Sequence, residues 1–150
     1  MNATNVDRSK TNAQRFSELN LAGTDVFWFR LQRSVRIVVE LQSLSKSHVD
    51  SIHSDYELHF LRVRQAQINL NSDRCLGQVV EWSGKDDSCY MRKIEKQFND
   101  TYRVSEKQYH FMLRTAQFQL DVIAANFSFL VISKDYLHGP ISQSGGESIV

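Results

Sequence analysis

The side chains of His48, His53, His59, Cys75, Cys89 and His110 have the chemistry of metal ligands. Imidazole and thiolate are the ordinary ligands of zinc, and side chains on different helices of a bundle can converge on one ion. None of these forms a compact motif, but Glu106 and His110 stand four apart, so on a helix both would reach one ion. The spacing thus singles out Glu106 and His110, with zinc as the one cofactor and none required otherwise. The plainer reading makes Glu106 part of a helix start and His110 a surface residue. Other chemistry is harder to find. The sequence has no phosphate loop, dinucleotide fingerprint or serine elbow, and Asp55 and Glu57, two apart, would point to different sides of a helix. A binding protein is therefore expected rather than an enzyme, with no catalytic residue to name.

A basic stripe supplies the third chemistry. Arg30, Arg33 and Arg36 recur every three residues beside Trp28, and Arg62 and Arg64 follow, so phosphates or an acidic partner could be met at Arg30 and Arg33. The net charge of +1 argues against nucleic acid as the partner. Glu40, four residues after Arg36, favours a pair on a helix surface.

These groups must be positioned by a chain of 150 residues, 41% apolar and 23% charged, which suits one folded domain. The opening "MNATNVDRSKTNAQRFSE" lacks an apolar signal core, and "VIAANFSFLVI" is too short to span a bilayer. The expectation is a cytoplasmic protein without membrane insertion, with Cys75 and Cys89 as thiols. Between Thr24 and Leu137 only Gly77 and Gly84 break the chain, and no proline does. Sheets joined by tight turns would need more, so the spacing predicts an all-α bundle of four to five helices.

Apolar residues at helical spacing support this. Val49, Ile52, Tyr56, Phe60, Val63, Ala66 and Leu70 trace one face, and Tyr109, Leu113, Ala116, Leu120, Ile123, Phe127 and Leu130 trace another behind a Ser105–Gln108 capping box. Two shorter helices fall between them, in "SDRCLGQVVEWSG" and "DDSCYMRKIEKQFND". Residues 26–42 fit a helix through Phe27, Leu31, Val35, Val38 and Leu41, yet they also alternate like a strand. The alternative is therefore an α+β fold with strands near 26–42 and 56–70. Residues 1–21 are expected to be a flexible tail, 22–137 the bundle, and 138–150 a disordered tail.

The stretch "DRCLGQVVEWSG" reads as a short helix. Ser72 or Asp73 caps it, Leu76, Val79 and Val80 face the core, Cys75 is a small buried residue, and Gly84 ends it in a left-handed turn. With its cysteine, glycine and tryptophan it also loosely resembles the signature of the chemoreceptor zinc-binding domain, a four-helix bundle that regulates signalling by holding zinc. That resemblance implies a site drawing in His48, Cys75 and the Glu106/His110 pair. Val79 stands where the family has tryptophan, and Glu106 where it has histidine.

The last predicted helix is apolar on a second side as well, through Phe111, Phe118, Val122, Ala125, Phe129 and Ile132. A helix apolar around most of its circumference must be covered on both sides. Phe111, Phe118, Val122 and Phe129 are the candidate interface, by self-association or with another protein. The expected function is a non-enzymatic adaptor or regulatory module acting through a homodimer or a partner protein. A zinc- or ligand-sensing bundle and a small nucleic-acid-binding regulator are the alternatives.

Overall fold

The computed structural model describes residues 9–33, 35–43, 54–71, 76–98, 106–132 and 141–144. The helical bundle is overturned. Helix α1 (Asn12–Ser17) leads into strands β1 (Thr24–Gln32), β2 (Arg36–Ser43), β3 (Tyr56–Leu70) and β4 (Val79–Lys85), then helix α2 (Cys89–Phe98), β5 (Tyr109–Thr115), β6 (Phe118–Val131) and β7 (Ile141–Ser144). The strands form one antiparallel sheet in the order β1-β2-β3-β6-β5-β4, with β7 beside β5 along the same side of β6. Strands lie where the α+β alternative put them.

Both long "helices" are long strands whose two-residue period slips, once in β6 and twice in β3. The inward row of β6 runs Phe118, Leu120, Val122, Ala124 and then, one residue out of phase, Phe127 and Phe129. In β3 it passes from Leu58 and Phe60 to Val63 and Ala66 through a bulge between Val63 and Gln65, next to Arg62 at φ 54°. A row of twos interrupted by threes can be sampled at helical spacing. The opposite face of β6 is buried too, at Ile123, Ala125 and Leu130, so the strand lacks the polar alternation that marks a half-buried sheet.

The missing turn glycines have an equally local cause. Arg33 makes the β1–β2 turn at φ 55° without a glycine. Thr115 makes the β5–β6 turn: its hydroxyl accepts from the Gln117 amide and donates to the Leu76 carbonyl. The connections from β2 to β3, β3 to β4 and β4 to β5 are too long to need tight-turn chemistry.

The sheet curls until its two edge strands meet at one end, where the Val26 amide donates to the Gly77 carbonyl and Asp25 bridges to Gln78. Inside the curl lies α1, within the segment expected to be a tail. Thr11 and Gln14 close its capping box, and Phe16, fully buried, packs on Phe60, Phe111 and Phe127 at centroid distances of 5.6, 5.1 and 5.4 Å. The Asn12 amide donates to the Ala125 carbonyl, on the stretch of β6 between its pairings with β5 and β7. That carbonyl is thereby satisfied where the ladder is interrupted.

The stretch 76–84 is a strand entry and a strand, not a helix. Gly77, at φ +92°, makes the bend, and Gly84 is the point where α1 crosses β4: a Cβ there would lie 2.3 Å from the Ala13 carbonyl oxygen. Trp82 packs on the core and donates its indole N–H to the Leu19 carbonyl. Helix α2 does fall where a helix was expected, and Met91 and Ile94 pack it on Ile123 of the sheet's outer face. Strand β7 lies within the segment expected to be a disordered tail.

Candidate functional site

Cross-strand register builds a connected polar group on the sheet's outer face. His110 on β5 stands opposite Ile123 on β6, so Asp121, two residues before Ile123, is its diagonal neighbour on the same face. Because α2 packs on that Ile123, the residue that caps the helix, Ser88, is carried over the imidazole. Its Oγ accepts the Met91 amide at 3.1 Å, and its carbonyl accepts the Arg92 amide.

Four side chains from three elements then form one chain of hydrogen bonds. His110 Nδ1 lies 2.8 Å from Ser88 Oγ, His110 Nε2 lies 2.7 Å from Asp121 Oδ1, and the Gln119 amide donates to Asp121 Oδ2 at 2.9 Å. An ionised carboxylate only accepts, so Nε2 carries the proton on the neutral ring. Nδ1 is then an acceptor aimed at the Ser88 hydroxyl. Burial acts to raise the Asp121 carboxyl, but hydrogen bonds from His110 and Gln119 and the charges of His110 and Lys85 hold it below its ordinary range. The Tyr90 ring lies 4.9 Å from the imidazole, and burial, aided by the Asp121 charge, pushes its phenol up. Its hydroxyl is sealed from solvent and has no partner among the described residues.

A second group lies on β1, β2 and β3. Arg30 pairs with Glu40 at 2.9 Å and reaches Glu57 at 3.7 Å, and Glu57 accepts from His59 Nε2 at 2.9 Å. The hydrogen bond from His59, with the Arg30 charge, lowers the Glu57 carboxyl against the opposing effect of burial. Arg30 is thus engaged by carboxylates. Arg33 sits in the β1–β2 turn, exposed.

The same hairpin exposes apolar side chains on both of its faces. Trp28, Leu31 and Val35 are 57%, 64% and 51% exposed, and Phe27 joins them. Beyond Val26, strand β1 pairs with β2 on one side and with nothing on the other among the described residues.

No family model matches the chain, and no curated protein or solved structure matches it.

The resemblance to the chemoreceptor zinc-binding domain implied a four-helix bundle, and the sheet removes that basis. Of the predicted zinc ligands, His48 and Cys75 lie outside the described residues, as does His53. Glu106 precedes a strand instead of sharing a helix face with His110, and both of its oxygens accept from Arg62 Nε, at 2.8 and 2.9 Å. Among the described residues no three of His, Cys, Asp and Glu are grouped to hold a metal ion. Among them, too, no helix is long and apolar enough to cross a membrane. The four residues named as an interface, Phe111, Phe118, Val122 and Phe129, are buried in the chain's own core. The inward row of β6 faces the core and Ile123 on its outer face packs against α2, so the chain itself covers residues that called for a partner.

Sequence reasoning missed Ser88 and Asp121 because the three partners are 22 and 11 residues apart on separate elements. One signal was present. Asp121 is the only charge in the apolar run "FQLDVIAANFSFLVI", and a carboxylate in such a run calls for a specific partner.

Proposed function

We propose that the chain is a protein-binding module whose contact surface is the β1–β2 hairpin, with a second copy of itself as the occupant. The observation that carries this is the exposure of Trp28, Leu31 and Val35 on a strand whose outer edge, from Trp28 to Gln32, is unpaired among the described residues. Folded proteins usually protect such edges with charges, prolines or bulges; this one has a bulge between Val26 and Trp28 and the charge of Arg30, yet still presents a tryptophan and aliphatic side chains. Two antiparallel edges related by a twofold axis complement each other by construction, since each strand offers the other the same donors and acceptors. A net charge of +1 raises no long-range repulsion between copies.

Sedimentation of the full chain over a range of concentrations tests the reading. The expected result is a dimer that Trp28→Glu combined with Leu31→Lys converts to a folded monomer with an unchanged circular dichroism spectrum. A wild-type protein that stays monomeric at the highest concentration, or a dimer that survives the double substitution, overturns it.

A further inference from the structure

We infer that Ser88 is a nucleophile, with His110 as its general base, and that this chain can take an acyl group from a carboxylic ester onto Ser88 Oγ and release it to water. The inference rests on the hydrogen-bond chain and not on any resemblance. A serine hydroxyl is a weak nucleophile until a base removes its proton, and the base must be unprotonated on the side that faces it. Asp121 and Gln119 secure that state. The carboxylate holds the proton on Nε2, 2.7 Å away, and leaves the Nδ1 lone pair 2.8 Å from Ser88 Oγ. A serine–imidazole–carboxylate arrangement is defined by these roles rather than by which ring nitrogen faces the serine. Three surroundings favour the same chemistry. Ser88 caps a helix of ten residues, so the positive end of α2 lies at the oxygen. The Cys89 and Tyr90 amides, first in the helix, have no acceptor within it and are available to a developing oxyanion. The Tyr90 hydroxyl, on a ring that lies beside the imidazole, is a buried donor that the described fold leaves unused.

Ser88 Oγ adds to the ester carbonyl carbon while its proton passes to His110 Nδ1. The carbon–oxygen bond to the alcohol breaks, and the leaving alkoxide takes that proton. Water then adds to the acyl carbon, giving its proton to Nδ1, which returns it to Ser88 Oγ as the acyl–serine bond breaks. Ser88 and His110 touch the reacting atoms. Asp121 and Gln119 are positioning residues that act through the imidazole.

The test is labelling of the full chain with an alkyl fluorophosphonate, read by intact mass and peptide mapping. The expected product is one adduct per chain, on Ser88, formed at a rate that falls on acidification. Ser88→Asn, which keeps a helix-capping side chain, should take no label. His110→Gln should slow labelling about 100-fold or more and abolish its pH dependence. Asp121→Asn should slow it and change the pH profile, with circular dichroism confirming that each variant is folded. An unlabelled wild-type protein, an adduct on another residue, or a labelling rate indifferent to His110→Gln overturns the inference.

Discussion

Replacing Gly84 with alanine probes the contact that holds the interior together. The added Cβ would lie 2.3 Å from the Ala13 carbonyl oxygen and 2.7 Å from Ala13 Cα, both backbone atoms that no rotamer can move. Ordinary carbon–oxygen contact begins near 3.3 Å, so α1 must withdraw from β4 by about 1 Å. A gap of that size forfeits about a quarter to a half of the dispersion contact across it. Removing a buried phenylalanine ring altogether costs about 3–5 kcal/mol, so loosening Phe16 against its three neighbours costs about 1–2 kcal/mol. The same withdrawal breaks the 2.8 Å bond from the Gly84 amide to Ser17 Oγ, worth about 1 kcal/mol. Alanine returns less than about 1 kcal/mol by restricting the unfolded chain. The net expectation is a loss of about 2 kcal/mol, measured by urea denaturation with an unchanged slope. Tryptophan fluorescence is a suitable signal, since Trp82 bonds to the Leu19 carbonyl just beyond α1. Gly23→Ala is the control: nothing lies within 4 Å of its Cβ, and its φ of +76° alone costs about 1 kcal/mol. In a background of Phe16→Ala the Gly84→Ala penalty should shrink, because the contact it disturbs is already weakened. A Gly84→Ala protein as stable as Gly23→Ala would refute the close crossing of α1 on β4.

Thr115→Val should destabilise by about 1–3 kcal/mol in thermal or urea unfolding, since it strips the buried Leu76 carbonyl and the Gln117 amide of one shared partner. Ser88→Ala should cost about 1 kcal/mol, with faster amide hydrogen exchange confined to the first turn of α2, while Ser88→Asn restores most of it. Asp121 and Glu57 both lie below their ordinary values of 3.8 and 4.5 in the folded protein. The stability they contribute is complete above those values and is lost as pH falls through the folded-state values. Urea unfolding from neutral pH downward should therefore show wild-type stability falling most steeply below about pH 4. Asp121→Asn and Glu57→Gln should be less stable near neutrality and converge on wild type in acid.

The parts of the fold legible in the sequence were those decided locally. Helix α2 has its apolar residues on one side and appears where its spacing put it. The alternation in residues 26–42 marked β1 and β2, although the scarcity of glycine argued the other way. In β3 and β6 the signal misled, because the inward rows slip by one residue, in β3 at a bulge, and both faces of β6 are buried. The functional residues divide similarly. His110 was visible as a reactive side chain, but its assigned companion Glu106 turned to Arg62. Its actual partners, Ser88 and Asp121, could not be paired with it without the strand register.

What the sequence determined by itself is a chain with apolar content for a real core, little net charge, and an aspartate isolated in an apolar run. Those properties follow from composition and order along the chain, which exist before any folding. Tertiary structure decided the rest. It decided that the apolar rows face a curled sheet around Phe16, that Gly84 is small to admit a helix rather than to end one, and that Trp28 and Leu31 stay outside. It also brought serine, imidazole and carboxylate into one chain of hydrogen bonds. The reason is that burial and hydrogen bonding depend on neighbours distant in sequence, and only the β5–β6 register and the docking of α2 choose those neighbours.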